Sequence, residues 1–117
     1  MKDCILHNPR CSKSRETLAL LQSRGVDLPT VEYLQQPLSK AELGEVCKLL
    51  GVKPLAIVRT KEDLFGDLGL AKDNGYSDAQ WLDALASHPK LMERPIVIYK
   101  GRAAIGRPPE NVLSLLD

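Results

Sequence analysis

A cysteine among basic residues stands near the start of the chain, in the stretch HNPRCSKSR at residues 7–15. Cys11 follows a proline turn and is flanked by Arg10, Lys13 and Arg15. The thiolate form of cysteine is the nucleophile, and nearby cations lower the pKa at which it forms. The same cations attract anions, so a nucleophilic sulfur and an anionic substrate could share one location. We therefore predict that Cys11 is a reactive thiolate at an oxyanion site, outside the apolar core.

The other two cysteines are expected to be structural. Cys4 lies in an apolar run and Cys47 in an amphipathic segment, where free cysteine is usually a small buried side chain. Ser14 stands where a C-x-x-C motif would have its second cysteine, so Cys11 needs a thiol from solution for turnover. The cysteines and the two histidines lack metal-ligand spacing, and we expect no metal and no bound cofactor.

Three more residues of the same stretch are candidates for a supporting role. His7 could hydrogen-bond near the thiolate or assist its deprotonation, although a histidine at a strand end is more often structural or exposed. Ser14 could donate a hydrogen bond to the sulfur, and Arg15 adds positive charge. Both residues could equally belong to the first turn of a helix without a chemical role.

Composition limits the partners of the protein. Its 117 residues are 44% apolar and 26% charged, which is typical of a globular protein with one core. Sixteen basic and 15 acidic residues give a net charge of +1, so we expect no nucleic-acid partner. No apolar run approaches the ~20 residues of a membrane span, and we expect a cytoplasmic protein without membrane contact.

Positioning Cys11 requires regular elements on both sides of it. Residues 4–6 are a short apolar run that predicts a buried strand, ended by Asn8-Pro9. Residues 12–24 have helical spacing and stop at Gly25, as helices often do. Residues 30–34 alternate and are rich in β-forming side chains, which predicts a second strand.

The middle of the chain is predicted to be helical. Ser39–Glu42 and Ser77–Gln80 each match a capping box, and apolar residues follow both at helical spacing. Residues 55–70 indicate one or two short helices. Near the C-terminus, Pro95–Tyr99 and Ala103–Ile105 are predicted to be strands of a hairpin, followed by a proline-led helix from residue 108.

The element order is βαβ, a helical insert, then ββα, which predicts an α/β thioredoxin-like sandwich with a four-stranded mixed sheet. We expect a single domain over residues 1–117, with the insert at about residues 38–90. Cys11 would then begin the first helix, whose N-terminus offers unpaired N–H groups and favours an anion. Pro95 would begin the third strand, where this fold commonly has a cis proline beside the reactive cysteine.

Four segments together resemble one known family. They are HNPRCSKSRETLALL, AIVRTKEDL, HPKLMERPIVI and IGRPPENVL, and the similarity covers essentially the whole chain. The H-N-P-x-C-x-x-S-R stretch and the two Arg-Pro motifs are specific in combination. The chain is similar to the glutaredoxin-coupled arsenate reductases, and most of all to their short bacterial branch.

The resemblance implies that Cys11 is the nucleophile and that Arg59, Arg94 and Arg107 bind the oxyanion. It implies that Cys11 forms a covalent adduct with arsenate, that glutathione displaces oxygen on it, and that glutaredoxin resolves the mixed disulfide to leave arsenite. A guanidinium suits a tetrahedral oxyanion and stays charged. From the residues alone, however, each arginine could be a solvated surface residue.

Three alternatives remain to be weighed against that function. An Spx-like regulator of the same fold would use C-x-x-C as a redox switch, and here Ser14 replaces the second cysteine. A phosphatase-like arsenate reductase needs C-x5-R, and Thr17 stands at the arginine position. A glutathione-dependent thiol oxidoreductase with another substrate stays open.

Overall fold

Two stretches that are distant in sequence form one compact unit. The computed structural model describes residues 1–117 and divides them into two units. Met1–Gln36 and Arg94–Asp117 form the first, called the sheet unit below, and Pro37–Glu93 forms the second, called the helical unit. The expectation of a single domain with an insert at about residues 38–90 stays a prediction.

The sheet unit holds four strands and two helices. They are β1 (Cys4–Leu6), α1 (Ser12–Ser23), β2 (Thr30–Val31), β3 (Ile96–Tyr99), β4 (Arg102–Ile105) and a 3-10 helix over Pro109–Leu116. The strand order is β2-β1-β3-β4. β1 is parallel to β2 and antiparallel to β3, and β3 is antiparallel to β4. The predicted mixed sheet of a thioredoxin-like α/β fold is thus confirmed.

The core of the sheet unit lies where the central strands meet α1 and the C-terminal 3-10 helix. Ile5 of β1 is opposite Val97 of β3, and both pack with Leu21, Val112 and Leu115. The neighbouring strand residues, which point to the other face of the sheet, are also buried. Burial on both faces explains why these strands are continuous apolar runs without alternation.

Two elements differ from the sequence prediction. β2 ends at Val31 and not at residue 34, because the backbone N–H groups of Gln35 and Gln36 donate to the carbonyl of Glu32 and turn the chain. Local β propensity was overridden there by the turn. The proline-led helix near the C-terminus forms as predicted, but it is a 3-10 helix, which begins directly after Pro108.

The hairpin between β3 and β4 has a tight turn, one residue shorter than the turn over residues 100–102 that the sequence predicts, because Arg102 pairs with Tyr99 and belongs to β4. Lys100 and Gly101 occupy the two turn positions with φ of 50° and 75°. Positive φ at both positions is the requirement of a type I′ turn, whose twist matches that of the flanking strands. The Asp3 carboxylate accepts a hydrogen bond from the Lys100 N–H at 2.9 Å and links the turn to the start of β1.

The helical unit consists of short helices. They are α2 (Lys40–Leu50), a 3-10 helix at Pro54–Ile57, α3 (Asp63–Asp67), α4 (Asp78–Ser87) and a 3-10 helix at Pro89–Leu91. The capping boxes predicted at Ser39 and Ser77 are both present, each with reciprocal hydrogen bonds. Trp81 of α4 is buried and stacks on Phe65 of α3. None of the helices combines the length and apolar character that crossing a membrane requires.

Candidate active site

Cys11 is the N-cap residue of α1 and joins the end of β1 to that helix. Its backbone is extended, and its carbonyl accepts the first helical hydrogen bond, from Arg15 N–H at 3.0 Å. Its own N–H donates to the Asn8 carbonyl at 3.0 Å, which closes the proline turn. Cys11 is only 8% exposed, so the expectation that it would lie outside the buried set was wrong. The tertiary structure covers Cys11 while Pro9 and Arg10 of the same turn stay exposed.

The surroundings of Cys11 stabilise its thiolate. Burial by itself raises the pKa of a thiol. The backbone N–H of Ser14 and the charge of Arg94 lower the pKa of Cys11, and the N–H of Lys13 and the charge of Arg107 act in the same direction. The opposing effects together exceed the cost of burial, so the pKa of Cys11 lies below that of an ordinary thiol. The helix N-terminus acts on this sulfur as predicted, but the charges that do so are those of Arg94 and Arg107 and not those of the neighbouring Arg10, Lys13 and Arg15.

Arg94 presents two donors that no protein group uses. Its Nε and Nη1 atoms are buried and have no hydrogen-bond partner. Buried polar atoms of this kind are rare, because leaving one unpaired costs about 1–3 kcal/mol. An anion beside this guanidinium would supply the acceptor that such an unpaired donor lacks. The Arg94–Pro95 peptide bond is cis, the isomer that is common at this position of the fold, and β3 begins one residue later, at Ile96.

Arg107 connects the sulfur to Arg94. Its Nη2 atom lies 3.7 Å from the Cys11 Sγ and donates to it, while its Nε donates to the Arg94 carbonyl at 2.9 Å. The structure thus brings Cys11 together with Arg94 and Arg107, which lie about 80 to 100 residues further along the chain. Their convergence is the arrangement that the family resemblance implies for these three residues.

Gly106 lets the Arg107 segment approach α1 closely, and sequence reasoning missed it. A Cβ atom at Gly106 would lie 2.5 Å from Thr17 Oγ1 and 2.9 Å from Pro95 Cγ. Thr17 is fully buried and donates to the Lys13 carbonyl at 2.8 Å. The glycine directly before the Arg-Pro motif was the signal that could have indicated this close contact.

His7 and Ser14 form a buried pair that is separate from the sulfur. The Nδ1 of His7 lies 2.6 Å from the Ser14 Oγ, which also accepts from the Asn8 N–H at 3.0 Å. The hydroxyl of Ser14 is therefore engaged with His7 and Asn8, and it is the backbone N–H of Ser14 that acts on the thiolate. Burial lowers the pKa of His7, the charge of Glu32 raises it, and the net direction is downward. His7 is thus neutral near pH 7 and fixes the end of β1 to α1.

Arg15 and Arg59 have partners of their own. The Arg15 guanidinium is exposed and donates to the Pro9 carbonyl at 3.0 Å, which holds the turn before Cys11. Arg59 belongs to the helical unit, where it pairs with Glu62 at 2.8 Å, and Glu62 also pairs with Lys90. The oxyanion role that the resemblance implies for Arg59 stays a prediction. No group of histidine, cysteine, aspartate or glutamate side chains is placed to hold a metal ion.

The fold and this geometry define a class of protein. It is the class of thioredoxin-like proteins with one low-pKa cysteine at the start of the first helix. A model of the ArsC family matches residues 6–115, and this chain belongs to the ArsC family. The resemblance noted in the sequence is thereby confirmed.

Individual relatives cover nearly the whole chain. It is 47% identical to "Arsenate reductase" of Neisseria meningitidis serogroup A, over 96% of each chain. It is 50% identical to "Uncharacterized protein YfgD" of Escherichia coli K12, over 96% of this chain and 94% of the relative. Among solved structures, it is similar to "Arsenate reductase from Vibrio cholerae", with a TM-score of 0.92, 46% identity and 98% of each chain covered.

Proposed function

We propose that this protein is an arsenate reductase that uses Cys11 as its nucleophile and takes electrons from glutathione and glutaredoxin. The observation that carries the proposal is the pair of buried, unpartnered donors on Arg94 in a site that also holds the low-pKa thiol of Cys11. Relatives at 46% to 47% identity that are named arsenate reductase support the choice of substrate.

Arg94 and Arg107 bind the oxyanion in this proposal. Each can offer parallel N–H groups to two oxygens of a tetrahedral anion, and both stay protonated at any relevant pH. Their charges also stabilise the negative charge that builds up on the oxygens as the sulfur attacks. Arg59 is proposed as a third oxyanion ligand, on the strength of the family resemblance.

The chemistry transfers two electrons to arsenic. The Cys11 thiolate attacks arsenic(V) and displaces one oxygen, which leaves as water after protonation. Glutathione then displaces a second oxygen and becomes bonded to arsenic through its sulfur. A glutaredoxin thiolate attacks the glutathione sulfur, the As–S bond breaks, and its electron pair stays on arsenic, which is now arsenic(III). Hydrolysis frees arsenite and the Cys11 thiol, and the glutathione–glutaredoxin disulfide carries the oxidising equivalents.

His7, Ser14, Arg15 and Pro95 are proposed to position the nucleophile. The first three hold the turn before Cys11 through side-chain hydrogen bonds to one another or to the backbone of Asn8 and Pro9. Glutathione and glutaredoxin are found in reducing cellular compartments, so we propose a cytoplasmic location.

The test is arsenite formation by the purified protein. Arsenate, glutathione and glutaredoxin are supplied, arsenite is quantified, and Cys11→Ser is the blank. Arsenite above the blank supports the proposal. No arsenite, with Cys11 still alkylated rapidly by iodoacetamide near neutral pH, would overturn the substrate and favour a thiol oxidoreductase that acts on another compound.

A further inference from the structure

A cavity lies beside the turn that carries Cys11. It has a volume of about 340 Å³, within the size range of small-ligand pockets. One wall is formed by residues 7–10 and the other by Glu32, Leu34 and Gln35, which follow β2. Its wall includes residue 10, which directly precedes Cys11 in the chain, so the cavity lies on the segment that carries the nucleophile.

The wall residues of this cavity carry opposite charges that are not neutralised within the protein. Arg10 and Glu32 are both exposed, and neither forms an ion pair with the other or with a third residue. Gln35 adds an exposed amide, and Leu34 is an apolar side chain that is 39% exposed. The side-chain amide of Asn8 is already used, since its Oδ1 accepts from the Arg10 N–H at 3.0 Å.

Such a lining fits a short peptide that has both a carboxylate and an ammonium group. A guanidinium binds a carboxylate through parallel hydrogen bonds, and a carboxylate side chain binds an ammonium group. A tripeptide spans about 10 Å when extended, which is long enough to fill the cavity and still present its central side chain at a neighbouring residue. Glutathione has these charges at its two ends and its thiol in the middle.

We propose that this cavity is the subsite for the peptide part of glutathione, with Arg10 binding a carboxylate and Glu32 the α-ammonium group. The inference rests on the proposed function for the identity of the thiol co-substrate. It deepens that function by separating two sites, one for the oxyanion at Arg94 and Arg107 and one for the thiol at Arg10 and Glu32.

Steady-state kinetics test the subsite through the KM for glutathione. In Arg10→Gln and Glu32→Gln, that KM should rise about three- to tenfold, the effect of losing one charge-assisted contact in an open cavity. The KM for arsenate should stay unchanged, and so should turnover with dithiothreitol, which has neither a carboxylate nor an ammonium group. Arg24→Gln removes an exposed arginine from the far end of α1 and is the matched control. An unchanged KM for glutathione overturns the subsite. So does a loss of turnover that is equally large with glutathione and with dithiothreitol.

A binding measurement separates this inference from the proposed function. S-methylglutathione cannot react through its blocked sulfur, but it should slow the alkylation of Cys11 by iodoacetamide in the wild type and do so less in both variants. If the wild type forms no arsenite and this protection is still lost in the variants, the substrate proposal fails and the subsite stands. If S-methylglutathione gives no protection in the wild type while arsenite is formed, the subsite fails and the reductase stands.

Discussion

Two buried cysteines, one in each unit of the molecule, have pKa shifts in opposite directions. Cys11 is 8% exposed and Cys47 is 4% exposed, so burial hardly distinguishes them. The pKa of Cys11 is lowered, whereas burial and the charge of Asp78 raise the pKa of Cys47. The difference comes from the electrostatic surroundings of the two sulfurs.

Position in the helix explains most of that difference. Cys11 caps the start of α1, where backbone N–H groups are not used by the helix and those of Ser14 and Lys13 lower the pKa of the thiol. Cys47 lies inside α2, where the N–H groups of the helix bond to carbonyls of the preceding turn. Arginines then surround the first sulfur and a carboxylate lies near the second. Reactivity therefore depends on donors and charges more than on exposure.

The largest expected effect on arsenate turnover comes from replacing Cys11, with replacement of Cys47 as the comparison. Cys11→Ser should lower arsenate turnover on the order of 10³-fold or more, because no other residue supplies the nucleophile. Cys47→Ala should keep turnover within about twofold, since it removes a buried structural side chain inside α2. Arsenite formation measures both variants. Comparable losses in the two variants would show that the assay reports folding and not nucleophilicity.

Arg94→Ala should give the next largest effect. It removes the two buried donors and should reduce kcat/KM for arsenate by about 10- to 100-fold, equivalent to about 1.5–3 kcal/mol. Arg102→Ala, which removes an exposed arginine from β4, is the control and should leave kcat/KM unchanged. A wild-type kcat/KM in Arg94→Ala would assign Arg94 a purely structural role.

The pH dependence of alkylation sharpens the contrast between the two thiols. At pH 7, iodoacetamide should modify Cys11 at least about tenfold faster than Cys47, because an ordinary thiol is only a few per cent thiolate there. As pH falls, the rate at Cys11 should drop only below its lowered pKa. Arg107→Gln removes a charge that favours the thiolate, so it should move this inflection to higher pH. Mass spectrometry after proteolytic digestion assigns the alkylation rate of each cysteine. If the inflection does not move in Arg107→Gln, the charge of Arg107 does not contribute to the lowered pKa of Cys11.

The last comparison concerns the stability of two glycine variants, again one in each unit. Gly106→Ala should destabilise the protein by about 1–3 kcal/mol, because its Cβ would overlap Thr17 and Pro95. Gly44→Ala in α2 should stabilise it by about 0.5–1 kcal/mol, since the nearest atom to its Cβ is Leu82 Cδ1 at 3.7 Å and alanine favours a helix. Urea unfolding measures both. Equal changes in the two variants would contradict the tight contact inferred at Gly106.

Local patterns predicted most of the fold. Both capping boxes, the hairpin turn at Lys100-Gly101 and the order of the elements were readable, because each depends on residues that are close in sequence. The end of β2 was not, since the turn at Glu32 competes with good β propensity. The type of the C-terminal helix was not readable either, because apolar spacing alone does not separate a 3-10 helix from an α-helix.

The sequence by itself determined that Cys11 is the chemically distinct cysteine, because a proline turn, a helix start and neighbouring basic residues are all local features. Only the tertiary structure decided that Cys11 is covered, that Arg107 lies 3.7 Å from its sulfur, and that Arg94 keeps two buried donors unpaired. Those facts depend on β3, β4 and Gly106 packing onto α1 from the other end of the chain, and long-range packing leaves no trace in the spacing of a single sequence.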